Sequence, residues 1–149
     1  MTQQLDAIHK WASSHGLTLN PIKTQVIIIG SPRLVSAIDF NLIPKLKLNE
    51  IELQYSQHVK NLGVFLDQHL NFKKNTKEIC KKVYGSLHSL YKIKNFVTEK
   101  TKKNLVQALI LPHIDYCDVL RLGLSEVMMN KVQRAMNSSI RYIFDGPLM

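Results

Sequence analysis

No run of apolar residues approaches the roughly 18 needed to cross a bilayer; none is longer than residues 26–29, which are only strand-sized. The opening residues lack the basic-then-apolar order of a secretory signal. A soluble, intracellular protein with no membrane partner is therefore expected, nucleus and cytoplasm not being distinguished. Cysteine is scarce: Cys80 and Cys117 stand far apart in the chain. Without a secretory context they read as reduced thiols, which excludes a disulfide framework. None of the six histidines lies beside Cys or His at zinc-ligand spacing, and the loose group His113, Asp115 and Asp118 reads as helix surface or core edge. No metal is assigned. Internal repeats and low-complexity tracts are missing, and a 45% hydrophobic content argues against disorder.

Acidic residues are also few. Eleven Asp and Glu face twenty Lys and Arg, for a formal net charge of +9 and a pI near 9.6. That sign favours polyanionic partners, either nucleic acid or an anionic membrane surface.

The chain changes character near Asn71. Before it, elements are short and punctuated by turns; after it, long amphipathic helices dominate. Leu5, Ile8, Trp11 and Ala12 recur at helical spacing, so a helix is expected over residues 3–14, ended by Gly16. The β-branched run 25–29 is apolar on both faces and reads as a buried strand, stopped by Gly30, Ser31 and Pro32. Residues 33–45 show no period and read as a loop. Leu46 and Leu48, then Ile51 and Leu53, alternate about Asn49-Glu50, the pattern of a small hairpin. A further strand over 60–66 would carry Leu62, Val64 and Leu66 on one face. Gly63 within it costs stability unless another backbone must come close.

A helix is expected over 72–94, with Cys80, Val83, Leu87 and Leu90 on its apolar face, widened by Ile79, Tyr84 and Tyr91. At about 100° per residue, Lys74, Lys77, Lys81, His88 and Lys92 fall on a separate narrow stripe. Thr98 caps a second helix whose first turns carry Lys100, Lys102 and Lys103, where lysine opposes the helix dipole. Pro112 kinks or restarts it before 113–120. Ser125 and Glu126 open a last helix bearing Val132, Met136, Ile140 and Ile143, with Lys131, Arg134 and Arg141 as a second basic stripe.

Residues 73–103 contain ten lysines and two acids, Glu78 and Glu99. An ordinary solvated helix face mixes both signs, because opposite charges four residues apart support the helix. Here little offsets the lysines, and their repulsion is relieved by a bound polyanion. Lysines are point charges, so the expected contact is with phosphates and independent of base sequence. An interfacial membrane helix wants large exposed apolar residues opposite its lysines. In this chain the apolar faces have neighbouring helices to pack against.

The stretch Trp11-Ala-Ser-Ser-His-Gly-Leu-Thr-Leu-Asn-Pro-Ile-Lys-Thr-Gln25 resembles the region after the catalytic centre in reverse transcriptases of non-LTR (LINE-type, jockey- or CR1-like) retrotransposons. Val59-Lys-Asn-Leu-Gly-Val-Phe-Leu-Asp67 is similar to that family's next motif. Ile79-Cys-Lys-Lys82, Leu90-Tyr91 and Ala108-Leu-Ile-Leu-Pro-His-Ile-Asp-Tyr-Cys117 are similar to its thumb helices, in the same order. The resemblance runs from Leu5 to Phe144. It implies that Lys23 lies beside the nucleotide site, where an ammonium can neutralise or protonate a pyrophosphate leaving group. It implies that Lys60, Asn61, Leu62 and Gly63 form the primer grip, a β-turn that holds the primer terminus. The lysine helices, with Lys74, Lys77, Lys81, His88, Lys92, Lys100, Lys102 and Lys103, would be the thumb that tracks a template–primer duplex.

The resemblance also marks what is missing. Phosphoryl transfer by a polymerase needs carboxylates that hold two Mg²⁺ ions around the in-line displacement. In the family these come from an early palm aspartate and an Asp-Asp turn just upstream of the part that matches here. This sequence has no Asp-Asp pair, and Asp6, Asp39, Asp67, Asp115, Asp118 and Asp145 are dispersed. No catalytic residue and no cofactor are assigned to the chain, Mg²⁺ belonging to a complete parent enzyme. The link before the last helix is also shorter than in the family, Arg121-Leu-Gly-Leu124 passing straight to Ser125. The expected fold is α+β: a short N-terminal helix and small antiparallel sheet (palm remnant, residues 1–70) followed by a helical thumb bundle (71–149). The expected function is that of a partial RNA-directed DNA polymerase that grips nucleic acid without performing the chemistry. A stand-alone basic RNA/DNA-binding protein and a relic of a mobile element are the alternatives. Oligomeric state is left open.

Overall fold

Alternation and turn chemistry shape the first part of the chain, and helical period the second. The computed structural model describes residues 2–116 and 118–144, so Cys117 and Asp145 lie outside the described residues. The chain is α+β and forms two compact units, Met1–Asn61 with Asp67–Leu70, and Leu62–Leu66 with Asn71–Met149.

In the first unit, Thr2–Ser14 forms helix α1. Ala12 is buried and Leu5 half-buried, while Ile8 and Trp11 of the same period are exposed. Gly16 ends the turn after α1 with φ +70°, a conformation that L side chains rarely adopt. Strands β1 (Lys47–Leu48) and β2 (Ile51–Glu52) form the hairpin expected from alternation, in the register Lys47↔Glu52 and Leu48↔Ile51. Asn49 and Glu50 both take positive φ, 51° and 61°, which matches the right-handed twist of the flanking strands. Leu46, Leu48 and Leu53 are the buried centre of this unit, with Leu5, Leu19, Val26 and Tyr55 packed on them.

Two expectations fail in this unit. The run 25–29 is not a strand ladder: its only β contact is a single parallel bridge, Val26 with Tyr55. Ser56 N–H donates to the Val26 carbonyl at 2.8 Å and Gly30 N–H to the Gln68 carbonyl at 2.9 Å. The run is tied near both ends, yet among the described residues no neighbouring strand runs alongside it. Ile29 is half exposed as a result. The stretch expected to be a loop contains a short helix, α2 (Pro32–Ser36), with Pro32 in its first turn. The Ser31 hydroxyl caps it by accepting from Leu34 N–H at 3.4 Å.

The strand expected over 60–66 is instead two, β3 (His58–Asn61) and β4 (Val64–Asp67), paired as a two-stranded sheet. Leu62 (φ 46°) and Gly63 (φ 90°) make the turn between them. Alternation of Leu62, Val64 and Leu66 mimicked a continuous strand, but consecutive positive φ angles reverse the chain there.

The second unit is a helical bundle. Helix α3 (Lys73–Tyr91) is entered through Phe72 at φ 53°, while the Asn71 side-chain carbonyl accepts from Lys73 N–H at 3.1 Å. A 3-10 turn (Lys94–Phe96) leads to α4 (Glu99–Leu109), which Thr98 caps by accepting from Thr101 N–H at 3.3 Å. Pro112 restarts the chain as α5 (Leu111–Asp115). That helix stops at Asp115 instead of continuing to residue 120, and Asp118–Gly123 is a 3-10 segment. There Arg121 pairs with Asp118 at 2.5 Å and donates to the Ile114 carbonyl at 2.8 Å.

Helix α6 (Glu126–Ile143) packs lengthwise on α3. Tyr91 and Tyr142 meet edge to face with centroids 5.3 Å apart, so the C-terminal ends of the two helices lie together and the pair runs parallel. The core is built on Val83, Leu87, Leu90, Val106, Ile110 and Ile114, closed by Val132, Ala135 and Tyr142. Ile140, expected in that core, is 52% exposed. The buried line of α6 is Val132, Ala135, Ser139 and Tyr142, rotated away from Ile140, and Ser139 satisfies its hydroxyl on the Ala135 carbonyl at 3.0 Å. Among the described residues no helix is long and apolar enough to cross a membrane.

Candidate nucleic-acid interface

Three sets of residues carry the expected site. Lys23 is exposed in a turn that Asn20 organises. The Asn20 side-chain carbonyl accepts from Ile22 N–H at 3.0 Å and Lys23 N–H at 3.2 Å, which holds the chain around Pro21. Among the described residues no group of three or more His, Cys, Asp or Glu side chains is placed to share a metal ion.

The second set is the tip between β3 and β4. Lys60 and Asn61 are exposed, and Leu62 projects with 84% of its surface open. The Tyr116 hydroxyl donates to the Leu62 carbonyl, and Phe65 N–H donates to the Asn75 side chain at 3.2 Å. These bonds fasten residues 62–65 to α3 and to the end of α5. A Cβ on Gly63 would lie 3.5 Å from the Tyr116 ring, an ordinary contact. Glycine is therefore needed for its positive φ, not for lack of room.

The third set is the lysines of the bundle. Lys77, Lys81, His88 and Lys92 of α3 are exposed, as are Lys100 and Lys103 of α4. Lys74 turns toward β4 and sits 4.8 Å from the centre of the Phe65 ring, half-buried as a cation–π contact. Lys102 is 5% exposed, on the same helical face as the buried Val106 and Ile110. A buried ammonium cannot reach a phosphate backbone, so Lys102 leaves the candidate surface. Among the described residues Lys73, Lys77, Lys81, Lys82, Lys92, Lys100 and Lys103 make no ion pair.

Parallel packing of α3 and α6 adds residues that the α3–α4 stripe did not include. Lys73, Lys77, Cys80 and Tyr84 from α3 face Met128, Lys131 and Arg134 from α6 across a cleft of about 550 Å³. A second hollow of about 400 Å³, lined by Tyr84, Arg134, Asn137, Ser138 and Arg141, shares Tyr84 and Arg134 with the first. Together they make one trough with cations on both rims and, among the described residues, no carboxylate in its walls. Tyr84, expected on the apolar face, is 45% exposed and lies in this trough. Burial pushes the Cys80 thiol above its ordinary pKa, with the Lys131 charge pulling the other way. Of the lysines expected to bind, only Lys77 lines the trough. The α6 stripe was visible in helical phase; that it would face α3 was not.

Chemically, the arrangement is suited to holding anions by charge and by directed donors. Arginine forks can grip phosphate oxygens in pairs, and lysines neutralise them as point charges. No protein-family model, curated protein or solved structure matches the chain.

Proposed function

We propose that this chain is the primer-grip and thumb portion of a non-LTR retrotransposon reverse transcriptase, binding a template–primer duplex through its backbone without carrying the catalytic carboxylates. The observation that carries the reading is the exposed lysine surface of α3 and α4, in which Lys77, Lys81, Lys92, Lys100 and Lys103 stand without ion-pair partners among the described residues. Uncompensated like charges destabilise a folded unit, and a polyanion removes that cost. A second feature fits the same reading. Two of the motifs that suggested the family, 59–67 and 108–117, come together where Tyr116 holds the Leu62 carbonyl.

In this reading Lys60, Asn61, Leu62 and Gly63 present a turn to the primer terminus, and Lys23 faces the leaving pyrophosphate. The chain contributes grip, and the sequence holds no Asp-Asp pair to contribute two-metal chemistry. Mg²⁺ and the polymerisation step belong to the complete parent enzyme. Electrophoretic mobility shift with an RNA/DNA hybrid tests the proposal. A shift is expected that is lost when Lys77, Lys81 and Lys92 are replaced by Glu, with helix content by circular dichroism unchanged. Primer extension with Mg²⁺ and deoxynucleotides should give no incorporation, and robust synthesis by this chain would overturn the division of labour. A stand-alone RNA/DNA-binding role rests on the same lysines and predicts the same shift.

A further inference from the structure

We propose that the trough between α3 and α6 binds an unpaired nucleic-acid strand, its phosphates on the two cationic rims and one base stacked on Tyr84. The inference rests on the nucleic-acid reading above, but it assigns a different ligand form to a second face, which meets the duplex-binding surface at Lys77. Lys73 and Lys77 form one rim; Lys131, Arg134 and Arg141 form the other. Cations on both sides of one depression repel each other, and among the described residues no carboxylate pairs with any of the five. A polyanion lying along the trough neutralises both rims at once.

Shape selects the strand. Neighbouring packed helices lie about 8–10 Å apart axis to axis, so a trough between them admits one extended chain and not a duplex. The floor selects it again. Tyr84 is 45% exposed and belongs to both hollows, so its ring is open midway along the trough. A paired base keeps its faces against its neighbours, whereas an unpaired base can lay one on an aromatic ring, and a cationic groove with an aromatic floor is how single strands are held without sequence preference. The end near Arg141 adds direction. Asn137, which lines this end, accepts from Gln133 through its side-chain oxygen at 2.9 Å and keeps its amide N–H groups as donors. Arg134 and Arg141 beside it can each fork onto a phosphate. A strand leaving a duplex, such as the unpaired template ahead of a primer, is the chemical class this fits.

The test is fluorescence anisotropy with a labelled oligouridine and, separately, a labelled RNA/DNA hybrid. Tyr84→Ala should weaken oligouridine binding about 5- to 150-fold, the range set by loss of one base–aromatic stack, and leave hybrid binding unchanged. Tyr84→Phe keeps the ring and should restore oligouridine binding. Arg134→Glu should abolish it and spare the hybrid. Because Tyr84 and Arg134 are exposed, circular dichroism should match the parent for all three variants. Hybrid binding without oligouridine binding would overturn the trough assignment and leave the proposed function standing. Binding of neither would remove both. Equal losses for Tyr84→Phe and Tyr84→Ala, or preference for phosphatidylserine vesicles over oligouridine, would also overturn it.

Discussion

Tyr116 donates its phenolic hydrogen to the main-chain carbonyl of Leu62, joining the end of α5 to the tip of a hairpin more than fifty residues earlier in the chain. The bond supplies the Leu62 carbonyl with a partner from outside the turn and ties down the residue of the proposed grip whose side chain projects with 84% of its surface open. Tyr116→Phe keeps the ring packing beside Gly63 and removes only the hydroxyl. Chemical denaturation should register a loss of about 1 kcal/mol, the ordinary net value of one hydrogen bond.

Gly63→Ala should destabilise the protein by about 1 kcal/mol, through backbone strain at φ 90° and not through crowding, since the added carbon meets Tyr116 at 3.5 Å. Removing the neighbouring ring separates the two causes. If Tyr116→Ala rescues Gly63→Ala in a double-mutant cycle, crowding is the cause and the conformational account is wrong.

How much of this architecture was legible beforehand depended on whether a pattern was local. The phase of α3 placed Val83, Leu87 and Leu90 inside and Lys81 and Lys92 outside, because helical period is a property of one segment. Asn49-Glu50 was readable for the same reason. Tyr84 and Ile140 were misplaced because each sits at the edge of its helix's apolar arc, where the partner helix decides burial. Side-chain character alone makes the run 25–29 look like a buried strand, while a ladder needs partners that the segment does not reveal. At Leu62-Gly63 the glycine was the available signal, and alternation on either side hid it. The trough was illegible for a longer-range reason: each basic stripe could be read from its own helix, but parallel packing of α3 against α6, with α4 and α5 between them in sequence, could not.

Leu87 of α3 is buried in the bundle core while Ile140 of α6 is half exposed, so the two should respond differently to truncation. Leu87→Ala should cost about 2–5 kcal/mol, as expected for a buried leucine at 3% exposure. Ile140→Ala should change stability by less than about 0.5 kcal/mol, because half its surface is already in water. Comparable losses at the two positions by urea denaturation would place Ile140 in the core after all.

Lys102 and Lys103 are adjacent in α4 and should behave as opposites. Lys102→Ala should destabilise by about 1–3 kcal/mol through lost packing of its buried stem. Lys103→Ala should leave stability within about 0.5 kcal/mol and weaken hybrid binding instead. Thermal melts and binding titrations on both variants decide this, and identical profiles for the pair would contradict it.

Cys80 reports on the trough through its acidity. Burial raises its pKa, and the Lys131 ammonium opposes that rise by favouring the thiolate. In a Cys117→Ser background, alkylation by iodoacetamide should be slow at neutral pH and accelerate as pH rises above the ordinary thiol range. Lys131→Glu removes the favourable charge and adds an unfavourable one, so the thiol pKa rises further and alkylation at a fixed alkaline pH slows. A faster reaction in that variant would mean that Lys131 does not stand over Cys80.

The claim on which the rest depends is that exposed lysines of α3 and α4 hold a nucleic-acid backbone by charge. Anisotropy titration of an RNA/DNA hybrid across a salt series from about 50 to 200 mM measures it most directly. The logarithm of the binding constant should fall linearly with the logarithm of salt concentration, by about 0.9 for each phosphate neutralised. Replacing Lys81 and Lys92 together by Ala should flatten that slope by about two. A binding constant that is flat across the series, or a slope that the double replacement leaves unchanged, would contradict the account.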